Sequence, residues 1–156
     1  MYRRRDQQTG FLLVHPGGPF FSRKDEGSWS IPKGEAQPGE DLLQRAMIEF
    51  EEELGFIPQG NFFSLGAIKQ KGGKTVHAWA VEDDLPDDFS VRSNTFELEW
   101  PPRSGRMQSF PEIDRAEFFP EKLAREKINS AQLELIDRLL SVLGTGSAND
   151  SVPNRD

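Results

Sequence analysis

Glu49, Glu52 and Glu53 stand at positions i, i+3 and i+4 inside the run "LLQRAMIEFEEEL" (42–54). Wound as a helix, that spacing puts the three carboxylates on one face, while Glu51 points away to solvent. Like charges one turn apart destabilise an isolated helix by roughly 0.2–0.5 kcal/mol per pair, and no Lys or Arg follows one turn later to relieve the repulsion. A solvated acidic face is the ordinary account of a glutamate-rich helix. Unrelieved repulsion among oxygen ligands on a rigid element is also what a hard divalent cation such as Mg²⁺ or Mn²⁺ selects. Arg45 lies four residues before Glu49, at an angle between those of Glu49 and Glu52. Its guanidinium can therefore reach the cluster from one turn upstream, or it is a plain i,i+4 surface partner.

The elements that must hold these groups are legible from periodicity. Leu42, Leu43, Ala46, Phe50 and Leu54 form one apolar stripe, as a core-facing helix requires. "FLLVHP" (11–16) is an apolar run stopped by Pro16 and Gly17–Gly18, so a buried strand is predicted. "FFSLGAIKQ" (62–70) and "TVHAWAVE" (75–82) flank a Gly-rich turn and read as a hairpin. "TFELEW" (95–100) alternates apolar and acidic residues until Pro101–Pro102 stops it, and "RAEFF" (115–119) is a shorter strand. A second helix is predicted from about Ser130 to Leu143, capped by Asn129 or Ser130 and ended by Gly144. The expectation is an α/β (α+β) chain with a single domain over 1–143. The segment 144–156 lacks apolar content and is expected to be a disordered tail.

Composition bounds the function. The chain has 156 residues, no cysteine and a net charge of −7, which excludes disulfides and thiolate metal sites and argues against non-specific nucleic-acid binding. The basic N-terminus has no apolar segment behind it, and no apolar run approaches the ~20 residues that cross a bilayer. A cytoplasmic protein without nucleic-acid or membrane partners is the default expectation; the oligomeric state is left open.

The flanks of the glutamate helix carry a resemblance. Gly34, Glu40, Glu49, Phe50, Glu52, Glu53, Gly55 and Phe56 match, position by position, the box that defines the Nudix hydrolase family. The lead-in "WSIPKGE" (29–35) is similar to the segment before the box in members acting on dinucleoside polyphosphates and related nucleotides. The resemblance implies the Nudix fold, a mixed β-sheet sandwiched between helices, over roughly residues 5 to 143. Two positions depart from it. Ile48 stands where the family has an arginine that orients the catalytic carboxylates, and little more than Met1–Tyr2 precedes the basic "RRR" that normally follows the first strand.

What the resemblance implies about chemistry is hydrolysis of a nucleoside diphosphate-linked substrate, with water attacking phosphorus. The small-molecule partner would be a dinucleoside polyphosphate, a nucleoside triphosphate or a nucleotide sugar. Mg²⁺ or Mn²⁺ on Glu49, Glu52 and Glu53, with a carbonyl from the Lys33–Gly34 turn, would reverse the local charge and activate water. Glu40 would stabilise the loop. Lys33, Lys74, Arg103 and Arg106 are the phosphate-binding candidates, each weighed against a solvated surface charge. Glu112 is the candidate general base, with Glu99 the alternative. Phe20, Phe21, Trp29 and Trp100 could stack on a base, although aromatic residues more commonly serve the core. The other class of function is a Nudix-fold nucleotide-binding module, hydrolysing weakly or not at all because of Ile48.

Overall fold

Phe11, Leu12, Leu13 and Val14 are all buried, though consecutive side chains of a strand point to opposite faces. Such a run needs a sheet covered on both sides. The computed structural model, which describes residues 1–146, has that arrangement. Strand β2 (Gln8–Pro16) runs between β1 (Tyr2–Arg5) and β7 (Ile113–Pro120) in an antiparallel sheet. Leu12 and Val14 pack under helix α1 (Leu42–Leu54) with Phe50, Leu54 and Ile113. Phe11 and Leu13 pack on the other face with Trp29, Phe119, Ala124, Ile136 and Leu139, beneath α2 (Glu121–Lys127) and α3 (Leu133–Gly146).

Two hairpins complete the chain. β3 (Phe63–Lys69) pairs with β4 (Thr75–Ala80), and β5 (Thr95–Glu99) pairs with β6 (Met107–Pro111). A parallel bridge between Tyr2 and Glu82 joins β1 to the chain leaving β4, so the basic "RRR" lies within the first strand rather than after it. His15, with no exposed surface, donates from Nε2 to the Lys24 carbonyl and meets Asp114 at Nδ1, both at 2.7 Å. It thereby ties the loop after β2 to the sheet.

The structure departs from the predicted elements in five places. β6 and α2 were not predicted. Leu42 is 39% exposed, and the apolar stripe is buried only toward its C-terminal half, at Phe50 and Leu54. Ser130–Gln132 form a 3-10 turn ahead of α3. Gly144 does not adopt the left-handed conformation of a C-capping glycine, and α3 continues to Gly146. The rest of the predicted tail lies outside the described residues.

Candidate active site

The carboxylate-bearing helix is defined by its ends. Asp41 Oδ1 accepts the Gln44 N–H at 2.9 Å, and Gly55 at φ 68° turns the chain away while its N–H donates to the Glu51 carbonyl. Neither end offers charge relief: the last turn carries no basic residue. The relief comes from within. Arg45 donates to Glu49 Oε1 from both Nε (3.0 Å) and Nη2 (2.5 Å), and Nη2 stands 3.7 Å from Glu52 Oε2. Ile48, in place of the family arginine, is 44% exposed.

Gly34 shows how closely this loop approaches the helix. A Cβ there would lie 1.8 Å from Glu49 Cδ, so the backbone of the Lys33–Gly34 turn rests directly against a carboxylate. One residue earlier, the Lys33 N–H donates to Glu53 Oε2 at 3.3 Å. Glu53 is the buried member of the trio, 9% exposed. Burial pushes its carboxyl up from 4.5 to about 7; the Lys33 amide and ammonium oppose this, and Glu49 and Glu112 add to it.

Glu112 thus faces the cluster, although it is distant in sequence. Its N–H donates to the Asn94 carbonyl (2.8 Å), and the Asn94 N–H donates to the Glu52 carbonyl (3.0 Å). The Gly17 N–H closes the other side on the Glu112 carbonyl (2.9 Å). Glu99, the alternative, is elsewhere: it accepts the Gly105 N–H at the tip of the β5–β6 hairpin.

The remaining predicted residues divide. Glu40 accepts the Gln37 N–H at 2.7 Å and closes the loop before α1. Lys33 is exposed and its ammonium makes no ion pair among the described residues. Lys74 pairs with Glu35, which brings the β3–β4 turn to the edge of the Lys33–Gly34 loop. Arg103 and Arg106 sit on the hairpin tip rather than beside the carboxylates. Trp29 is buried in the core and presents no stacking face, while the half-buried Phe21 ring carries the Lys24 ammonium over one face at 5.1 Å.

One feature was missed by sequence reasoning. A cleft of about 130 Å³ opens between α1, the Gly34 turn and β4, bordered by Arg45, Glu49, His77 and Trp79. The signal was available: His77 and Trp79 alternate along β4 and share a face.

These carboxylates are the groups that could hold a divalent cation. Among the described residues no three His, Asp or Glu side chains already converge at metal-ligand spacing. The donor chemistry nevertheless suits a hard ion, being carboxylate oxygen throughout with a backbone turn packed against it. A cation there would offset the cost of ionising buried Glu53.

The NUDIX domain model matches residues 1–139. The chain belongs to the Nudix family. Nudix hydrolases act on acid anhydrides in phosphorus-containing substrates, and that is the activity class of this chain. Among solved structures, the Ap4A hydrolase binary complex from C. elegans aligns at TM-score 0.65 and 20% identity, covering 92% of this chain and 94% of the other. The NUDIX domain of Shewanella oneidensis NrtR, complexed with ADP ribose, aligns at TM-score 0.58 and 16% identity over 91% and 82%. A mutT/nudix family protein from Listeria innocua aligns at 0.58 and 16% over 94% and 90%. At these identities the alignments establish the shared Nudix fold. No curated protein matches the sequence. Among the described residues of this Nudix chain, no helix is long and apolar enough to cross a membrane.

Proposed function

We propose that this Nudix hydrolase cleaves a nucleoside diphosphate-linked substrate, such as a dinucleoside polyphosphate, a nucleoside triphosphate or a nucleotide sugar, in a metal-dependent reaction in the cytoplasm. The observation that carries the reading is the meeting of Glu49 and Glu53 with the Lys33–Gly34 backbone, while Glu112, from a distant part of the chain, is bonded through Asn94 to the Glu52 backbone. The Ap4A and ADP ribose named for two structural neighbours belong to the same nucleotide class.

Glu49, Glu52 and Glu53, with the Gly34 carbonyl, would hold Mg²⁺ or Mn²⁺. When bound, such an ion neutralises phosphoryl oxygens and makes a coordinated water more acidic. The chain's own groups do the rest. Arg45 holds the Glu49 carboxylate through Oε1, while Oε2 lies against the Gly34 turn. Exposed Glu112 takes the proton from the attacking water. The water oxygen bonds to phosphorus, and the bond to the bridging oxygen breaks with its electron pair leaving on the departing phosphate. Lys33 and Lys74, at the mouth of the box, meet the phosphate chain; Arg103 and Arg106 engage its far part.

Ile48 favours the second reading, a module that binds a nucleotide without turnover, while the Arg45–Glu49 contact weighs against it. The test is product release from a nucleotide panel with and without Mg²⁺. Turnover of at least one member that stops in chelator and in Glu53→Gln supports the enzyme. Tight binding with no turnover of any member supports the module.

A further inference from the structure

The last carbonyls of a helix have no partner within it, and at the end of α1 a segment from much later in the chain takes two of them. The Asn94 N–H donates to the Glu52 carbonyl at 3.0 Å, and the Arg92 N–H reaches the Leu54 carbonyl at 3.4 Å. Gly55 permits the approach, since a Cβ on it would lie 2.8 Å from Arg92 Cβ. The same segment also meets the end of β6. Thr95 opposes Pro111 in the β5–β6 register, and one step further the Glu112 N–H donates to the Asn94 carbonyl at 2.8 Å. Residues 92–94 are thus bonded both to the helix that carries Glu49, Glu52 and Glu53 and to the residue that bears the proposed base.

Glu112 is the single residue at the corner between β6, which ends at Pro111, and β7, which begins at Ile113. A peptide unit is planar, so pinning the units on both sides of a Cα fixes the direction in which its side chain starts. The unit before Glu112 is pinned by the bond to Asn94. The unit after it is pinned at both ends. Its carbonyl accepts the Gly17 N–H at 2.9 Å, and its N–H, that of Ile113, donates to Ser93 Oγ at 3.2 Å. The Ser93 proton faces the Asn94 carbonyl at 2.9 Å or the Ile113 carbonyl at 3.1 Å, within the same corner. Gly17 fits tightly there, because a Cβ on it would lie 2.0 Å from the Pro111 carbonyl oxygen. Of the three bonds that hold these two units, the one from Ser93 is made by a side chain and can be removed without touching the backbone.

We infer that Ser93 is a positioning residue for hydrolysis: its hydroxyl locks the Glu112–Ile113 peptide and so aims the Glu112 carboxylate at the attacking water. Ser93 touches neither the substrate nor the carboxylates of α1 and acts through Glu112 alone. The charge of Glu112 is felt at Glu53, so the corner stands close enough for its aim to matter. A misplacement of about 1 Å in a reacting group can cost about 100-fold in rate. Losing one of three bonds, with the other two kept, should cost about tenfold. The inference rests on the role of Glu112 as the base proposed above.

The experiment is a double-mutant cycle between Ser93→Ala and Glu112→Gln, with Ser93→Thr as the rescue, measured in Mg²⁺ with diadenosine tetraphosphate, ATP and ADP-ribose. Ser93→Ala should lower kcat about tenfold and leave KM and the Mg²⁺ dependence unchanged, and Ser93→Thr, which keeps the hydroxyl, should retain most of the rate. In the Glu112→Gln background Ser93→Ala should be silent, because no base is left to aim. Hydrogen exchange followed by NMR in chelator reads the corner without turnover. The Glu112 and Ile113 amides should exchange about tenfold faster in Ser93→Ala, and those of α1 no faster. Wild-type turnover of none of the three nucleotides, or Glu112→Gln at the wild-type rate, would remove the base assignment and this inference with it. If Glu112→Gln is slow, the inference alone is overturned by any of three results: Ser93→Ala at the wild-type rate, equal slowing by Ser93→Ala in both backgrounds, or unchanged exchange at the two amides.

Discussion

Replacing Glu53 by glutamine separates the structural cost of this carboxylate from its chemical use. Without metal, the folded protein holds the Glu53 proton up to about pH 7, whereas the ordinary value is 4.5. Between those values the folded state binds more protons than the unfolded one, so stability falls as pH rises through the window and levels off above it. At about 1.4 kcal/mol for each tenfold, the gap amounts to about 3 kcal/mol for a fully realised shift. Glu53 is 9% exposed, so solvent screening takes little from it. Glutamine has no proton to lose and keeps an oxygen for the Lys33 N–H. In chelator, Glu53→Gln should match the wild type near pH 4.5 and exceed it at pH 8, by roughly 6–12 °C in Tm at 2–4 °C per kcal/mol. Adding Mg²⁺ at 100 times its Kd should raise the wild type by about 2.7 kcal/mol and the variant hardly at all. Thermal unfolding followed by circular dichroism reads both arms. Parallel Tm–pH curves for the two proteins would refute the burial argument, and hydrolysis by the variant at the wild-type rate would remove Glu53 from the ligands.

Arg45→Ala should lower kcat about 10- to 100-fold, as losing the partner that orients a ligand does; Ile48→Arg in that background should recover part of it, and a silent Arg45→Ala would mean that Glu49 is oriented otherwise. Gly34→Ala puts a Cβ where the Glu49 carboxylate lies. Because the end of a flexible side chain can move aside, Tm should change little while kcat/KM falls about 100-fold from a displacement of an ångström or more; retained activity would show that the close approach is incidental. Arg103→Ala and Arg106→Ala should raise KM and leave the Mg²⁺ dependence alone, and an unchanged KM in both would return the hairpin tip to a plain charged surface.

Ile48 shows how far a local pattern can be carried. Its wheel angle, away from the apolar stripe and beside Glu52, predicts a side chain at the rim, and the structure leaves it 44% exposed. The same wheel puts Arg45 between Glu49 and Glu52, and its guanidinium does contact Glu49. Both relations lie within one turn of one helix, where geometry is set by the chain's own hydrogen bonds. The β2 run, the β3–β4 hairpin and β5 were legible for a similar reason, since apolar periodicity marks a strand wherever it ends up. β6 escaped because "MQSFP" is exposed along almost its whole length, and α2 because seven residues carry little periodicity.

What the sequence determined by itself is the carboxylate face of α1, the turn at Gly34 that must approach it, and with them the family. Only the tertiary structure decided which carboxylate is buried, which distant one joins it, and where the arginines go. The wheel placed Glu53 beside the apolar stripe, but its burial depends on the Lys33–Gly34 loop folding over it. Glu112 meets the cluster only through Asn94 and Gly17, and Glu99, the alternative read from the sequence, ends at the far end of the same hairpin. Contacts of that kind depend on strand register and loop path, which are settled by packing across the whole sheet rather than by any short stretch of residues.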